Sequence, residues 1–376
     1  MHIKSKIIAV LSTAVVTAAS VISFSGSAAQ NVTYNDPYGN GVIDMSDSVA
    51  IMQYISGAIT PENVDRLDFD NNGVVTMMDS YKIQMYRLQL LGNADDIVTL
   101  ASPAAVTPQG DSSVTYRVYN AQTGVELTSK RYTLNESTKY YNDSCNSIST
   151  RSVIGTDDRV VDWSKNGVVK IMGSNGFIGS GFVVGKHTIA TAAHCVNGRS
   201  LTNIILFDNN GIGTNATPVE YHVPEMYYSS TRNYDYALIT VEQDLSDYMQ
   251  FDLGTVLNYS PSHDNAVTNT GFPGVIQKSD GTFTTVNNES IHNMYSSTGS
   301  ITGINDRYFC HTVDTSHGDS GSPVYYTETI NGQTYYTVVG IHVRGDTNPF
   351  DDIEENEATR ITTELIRFYN QNPHIN

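Results

Sequence analysis

Residues 152–376 are built from short runs rich in Val, Ile, Tyr and Thr, broken repeatedly by Gly, Asn and Asp. The runs at 167–171, 181–184, 203–207, 236–241, 322–326 and 335–342 have strand length and β-branched or aromatic content, with turn residues between them. That rhythm excludes a helical bundle and predicts an all-β barrel or sandwich. One stretch differs: 357–369 places Ile361, Leu365, Ile366 and Phe368 at helical spacing.

A chain of 376 residues holds two or three folded units. Thirty-nine acidic and twenty-one basic side chains leave a net charge of −18, which argues against nucleic acid or any partner bound through phosphates. Twenty-five acids and eleven bases within 152–376 place −14 of that charge on the β-rich part. Three cysteines cannot staple such a length, whereas 39% apolar residues and twenty-four tyrosines supply ordinary cores.

Four segments are expected. Residues 1–29 read as a secretory signal, with Lys4 and Lys6 before an apolar stretch and Ser27-Ala28-Ala29 at its end. Polar residues interrupt that stretch and no later run is apolar for a membrane span, so export without stable membrane insertion is expected. Residues 30–92 contain an internal repeat, 93–151 a linker and pro-segment, and 152–376 the β domain.

In the repeat, Asp36, Asn40, Gly41, Val42, Met45, Asp47, Ser48, Ile51 and Tyr54 recur 32 residues later. The second copy sets Asp68, Asp70, Asn72, Thr76 and Asp79 at loop positions 1, 3, 5, 9 and 12, with the Val74 carbonyl at 7 and Gly73 at the sharp turn. Hard oxygen donors at those positions suit Ca2+. The first copy offers Asp36, Asn40, Val42, Asp44 and Asp47, but Tyr38 occupies its third position. Each loop runs into an apolar-periodic stretch, so two loop-helix units are predicted, forming a small all-α domain. This pattern resembles a dockerin module, which implies calcium binding and a cohesin domain of a scaffold protein as partner.

The connector 101–113 is rich in Pro, Ser and Thr; the alternating stretches after it predict a hairpin across Asn120-Ala-Gln-Thr-Gly124. The polar stretch that follows, ending at Arg151, reads as disposable.

Three motifs in the β domain carry chemistry: Thr191-Ala-Ala-His194-Cys195, Asn233-Tyr-Asp235-Tyr-Ala-Leu-Ile239 and His317-Gly318-Asp319-Ser320-Gly321-Ser-Pro323. A serine hydroxyl needs an imidazole to take its proton, and the imidazole needs a carboxylate to hold its tautomer and balance its charge. His194, Asp235 and Ser320 supply these groups. The N–H groups of Gly318 and Ser320 are candidates for an oxyanion hole, each donor being worth about 3 kcal/mol. No cofactor is expected for this chemistry.

These motifs resemble the trypsin-like serine proteases, and more closely the bacterial glutamyl endopeptidases, across 152–376. The resemblance implies a double β-barrel with the triad in the cleft, a C-terminal helix, protein or peptide substrates and a monomeric enzyme made as a zymogen. It also implies cleavage after glutamate: His342, within Gly340-Ile341-His342, and Thr315 match residues that hold the acidic side chain, and Arg344 stands beside them. Activation is expected after Arg151, freeing Ser152, or one residue later; in the second case the Val153 ammonium is a candidate partner for Asp319. Cys195 has no partner at the family's usual position, which points to a free thiol and a Cys145–Cys310 bridge. Two other readings remain: a protease of different preference with His342 structural, and an inactive protease-like binding module.

Overall fold

The computed structural model describes residues 31–370, apart from 40–42, 44, 56–58, 60, 62, 71–72, 88–96, 101–110, 136–152, 155, 229, 231–232, 257–265, 331–332 and 346–354. The predicted signal segment, Cys145, Arg151, Ser152, Asn40, Val42, Asp44 and Asn72 therefore lie outside the described residues. Among the described residues, no helix is long and apolar enough to cross a membrane.

Every short run read from the sequence as β lies on a strand. In the first half of the β domain the sheet order is Gly213–Ala216, Leu201–Phe207, Val168–Gly173, Phe177–Gly185, Thr188–Thr191, Ala237–Val241 and Pro218–Pro224. Thr188–Thr191 and Ala237–Val241 are buried along their whole length, so they carry apolar or small residues without polar alternation. In the second half six strands close a ring: Gln333–Gly345, Pro323–Ile330, Ala266–Gly271, Tyr295–Ile304, Tyr308–His311 and Asn356–Arg360, the last pairing back to the first. Closure removes the sheet edges and surrounds a core of Val267, Ile301, Phe309, Val324 and Val339. The domain is thus all-β with two barrel-like sheets.

Two expectations are revised. The helical pattern at 357–369 splits: Asn356–Arg360 is a fully buried strand paired on both sides, and the helix is Thr363–Asn370. Glu357 and Arg360 are the misleading residues, since polar side chains buried on a strand resemble the polar face of a helix. The predicted hairpin exists as Asp111–Asn120 and Glu126–Asn135, but it does not stand apart from the β domain. Asp111–Asn120 pairs antiparallel with Pro218–Pro224 and extends the first sheet by two strands.

The repeat folds into helices Met45–Ile55 and Met77–Arg87, packed around Ile51, Tyr54, Leu67, Phe69 and Ile83. Equivalent residues of the two copies meet at its centre: the buried Ser48 and Ser80 hydroxyls are 2.6 Å apart. This module rests on the second barrel. Val74–Val75 pairs with Thr255–Val256, Val74 joins the barrel core, and Lys82 reaches Glu328 at 3.1 Å.

The C-terminal helix returns to the first barrel, burying Leu365, Ile366, Phe368 and Tyr369. Phe368 meets Tyr236 edge to face at 5.4 Å and Tyr116 of the hairpin at 5.1 Å. Removing this ring combines lost transfer energy with a cavity, so Phe368→Ala is expected to cost about 3–5 kcal/mol in urea unfolding. A cost below about 1 kcal/mol would show that the helix is not integral to the domain.

Candidate active site

The strand pairing Ala237↔Thr191 brings two loops together at one end of the first barrel. The first continues from Thr188–Thr191 into the single helical turn Ala193–Val196, which carries His194; the second precedes Ala237 and carries Asp235. The Asp235 carboxylate accepts hydrogen bonds from His194 Nδ1 at 2.8 Å and from the His194 backbone N–H at 2.9 Å. A carboxylate against Nδ1 assigns the ring proton there and leaves Nε2 as the acceptor. Burial alone would lower the imidazole pKa, but Asp235, with a contribution from Cys195, outweighs it and holds the group well above its ordinary 6.5.

Ser320 lies in a turn that only glycines permit. Gly318 has φ 107° and Gly321 has φ 88°. A Cβ on Gly318 would lie 2.4 Å from the Phe272 carbonyl oxygen, and one on Gly321 would lie 2.2 Å from that of Ser180. Ser180, on the first barrel, grips this turn of the second. Its hydroxyl donates to the Gly318 carbonyl at 2.8 Å and accepts from Phe272 N at 3.0 Å, while its N–H donates to the Ser320 carbonyl at 2.8 Å. The Cys195 thiol also donates to the Ser320 carbonyl, at 3.3 Å, which sets the serine beside the histidine turn. The N–H groups of Asp319 and Gly321 are engaged by Ser316 and His342 carbonyls. Those of Gly318 and Ser320 find no acceptor among the described residues.

Asp319 is buried behind the turn, where it accepts from Ser316 N at 2.7 Å and faces Arg159 at 3.7 Å. Arg159 is itself buried and holds Asp157 at 2.6 Å. Burial raises the Asp319 pKa to about 7 against the opposing pull of Arg159. In the uncut chain Asp319 faces Arg159, and the Ile154 N–H goes to Asp314 at 2.6 Å. Nothing in the spacing of Arg159 marks this role.

His342 lies on Gln333–Gly345, tied to the nucleophile turn by Gly321 N to His342 O at 2.8 Å and His342 N to Ser322 O at 2.9 Å. Next to it is His311, which the sequence reading did not single out. The Val313 N–H donates to His311 Nδ1 at 3.3 Å, and His311 Nε2 faces His342 Nδ1 at 3.4 Å. That order assigns the His311 proton to Nε2, makes His342 Nδ1 the acceptor and leaves the His342 Nε2–H as a donor. Burial lowers the pKa of His311 to about 3, and burial together with His311, His194 and Arg344 holds His342 well below 6.5, so both rings are neutral. Thr315, fully buried, has a hydroxyl without a hydrogen-bond partner among the described residues. Arg344 does not stand as a free cation: Glu357 lies 3.4 Å from its Nε.

Cys195 is a buried free thiol and Cys310 is disulfide-bonded. In the repeat module, Asp68, Asp70 and Asp79 converge so that one oxygen of each lies within 4.8 Å of the others. Gly73 turns the loop at φ 89°; among the described residues the buried Asp70 Oδ1 has no donor, while its Oδ2 meets Lys82 Nζ at 2.5 Å. Burial and the like charges of Asp70 and Asp68 raise the Asp79 pKa, against a smaller opposing pull from Lys82. The second loop therefore fits Ca2+. In the first loop, Asp36 and Asp47 accept from Gly39 and Tyr38 N–H groups, and the Arg66 guanidinium lies where a Cβ on Gly39 would stand.

The Asp235 contact makes a testable statement about protonation. An NMR titration of the His194 ring in the Ser320→Ala chain is expected to show its midpoint above 6.5, and Asp235→Asn should bring it down by at least one unit. A midpoint below 6.5 in the Ser320→Ala chain would overturn the pairing.

Comparison with known proteins agrees with this geometry. The Trypsin family model matches residues 154–359, and the Dockerin type I domain model matches residues 34–86. The chain is 27% identical over 235 residues to a glutamyl endopeptidase of Bacillus licheniformis, covering 58% of this chain and 68% of that protein. It is 28% identical over 233 residues to a Bacillus subtilis protein named extracellular metalloprotease, covering 57% and 67%. A solved structure of Glu endopeptidase in complex with MPD aligns with a TM-score of 0.45 at 20% identity, over 58% of this chain and 97% of the other. Since the trypsin match spans more than half of its residues, this chain belongs to the trypsin family of serine endopeptidases and carries a dockerin type I domain ahead of its catalytic domain.

Proposed function

We propose that this protein is a secreted endopeptidase that cuts after glutamate, is made as a zymogen and is attached to a cohesin-bearing scaffold through its calcium-loaded dockerin. The observation that carries the catalytic reading is the doubly bonded His194–Asp235 pair beside the glycine-framed turn of Ser320. Ser320 Oγ attacks the scissile carbonyl while His194 Nε2 takes its proton, and Asp235 stabilises the resulting imidazolium. The oxyanion collects the unengaged N–H groups of Gly318 and Ser320. The imidazolium then protonates the leaving amine, and water repeats the sequence to release the acyl group.

For the side chain before the cut, the His342 Nε2–H and the unpartnered Thr315 hydroxyl are two donors suited to one carboxylate. The Arg344–Glu357 pairing removes much of the long-range pull of Arg344, so recognition rests on these short contacts. A peptide-library digest with mature enzyme is expected to favour Glu over neutral residues. His342→Ala should lower kcat/KM for Glu substrates roughly 10- to 100-fold, as expected for one charge-assisted bond, with little change for neutral ones. An equal loss on both substrate types would favour the reading in which His342 is structural.

Docking rests on the second loop, where the converging Asp68, Asp70 and Asp79, with the Val74 carbonyl and Thr76, would hold the ion and Asn72 is a further candidate from the sequence alone. Cohesin capture is expected to vanish on chelation and in the Asp79→Ala chain, and to persist in Ser320→Ala. Capture that survives chelator would sink the calcium-dependent reading.

A further inference from the structure

We propose that the pro-segment hairpin stays in the sheet after activation, so that the mature protease is a two-segment enzyme whose docking module is held by strand pairing whether or not a disulfide also links the segments. This rests on the reading that activation cuts at the 151–152 bond, which separates the hairpin from the β domain in sequence.

The observations concern the junction itself. Asp111–Asn120 pairs with Pro218–Pro224 through five registered positions, from Glu220↔Asn120 to Pro224↔Tyr116. Backbone pairing of this kind is the general means by which one segment adds to another's sheet without continuity of chain. The pairing extends past the strand: Ala121 N donates to Val219 O at 3.0 Å, and Leu201 N donates to Ala121 O at 2.8 Å. The inward side chains belong to the catalytic core. Tyr116, Val118, Tyr119 and Ala121 are all buried within the first barrel's apolar cluster. Tyr119 stacks on Tyr221 with centroids 5.0 Å apart, and Arg117 reaches Glu225 at 3.1 Å and covers the Tyr228 ring at 4.7 Å.

These contacts lead to the triad. The Tyr119 hydroxyl is bonded to that of Tyr228, which donates to Asn197 Oδ1 at 2.7 Å, directly after the His194 turn. Tyr116 abuts Phe368, which abuts Tyr236, the neighbour of Asp235. A segment that braces the supports of both His194 and Asp235 is part of the working domain. On the opposite barrel, the Val74–Val75 pairing and the Lys82–Glu328 bridge give the severed N-terminal portion a second hold. Docking then serves the active enzyme as well as its precursor.

The test uses the full chain carrying Ser320→Ala, which prevents self-digestion. It is nicked with an arginine-specific protease, the 151–152 cut is verified by mass spectrometry, and gel filtration follows in non-denaturing buffer with reductant, so that no disulfide contributes. Both portions are expected to co-elute, and the amides of Pro218–Pro224 should keep the hydrogen-exchange protection of the uncut chain. Tyr119→Ala should speed separation at least tenfold. Separate elution, loss of protection on nicking, or co-elution unaffected by Tyr119→Ala would each overturn the proposal. The activation reading fails separately: nicking of the Ser320-containing chain would then leave peptide turnover unchanged, whatever the elution.

Discussion

The cleft between the barrels depends on one buried serine. Ser180 belongs to the first sheet, yet its hydroxyl and its N–H are spent on the nucleophile turn and its neighbour in the second. Its carbonyl accepts from Thr191 Oγ1 at 2.7 Å, on the strand that leads to His194. One residue thus couples the support of the base to the support of the nucleophile. A buried residue whose polar groups are all satisfied has little freedom to shift, so the distance across the cleft is set by hydrogen bonding and not by apolar packing alone. Lys170 adds a second tie, carried from the first sheet to the Asn288 and Ile291 carbonyls at 2.8 Å each.

The electrostatics around this clasp divide by role. His194 has a buried opposite in Asp235, whereas Asp319, whose pKa burial raises to about 7, has Arg159 at 3.7 Å. His311 is kept neutral by burial, and His342 by burial together with His311, His194 and Arg344. The −14 charge of residues 152–376 surrounds both regions without entering either argument, since solvent and salt screen it at range while the short buried contacts are barely screened. On the proposed preference, selection of an acidic side chain by so acidic a protein would therefore be a local matter.

Much of this was readable in the chain. The triad stood out because nucleophile, base and orienter each need a distinctive local frame, and the glycines around Ser320 announce theirs. The calcium loop stood out because oxygen donors at fixed intervals recur 32 residues apart. Other features were hidden by physics that sequence spacing does not express. His311 and Arg159 act through partners far along the chain, brought near by strand register. The strand Asn356–Arg360 was masked by buried Glu357 and Arg360, whose polarity imitates exposure. The hairpin was visible, but its destination was not: alternation predicts that two strands pair with each other, and only register against Pro218–Pro224 tells which sheet they join.

That destination bears on how the catalytic part can be isolated. The sequence invites a boundary at residue 152, which gives a tidy fragment holding the entire triad. Such a fragment would strip Pro218–Pro224 of its neighbour and leave a row of unpaired amides and carbonyls flanked by Tyr221 and Val223, both buried in the full chain. A strand with one bare side is a template for another copy of itself. For expression and handling, the natural edge of this enzyme is the outer strand Glu126–Asn135, which precedes the catalytic motifs in sequence and ends the first sheet.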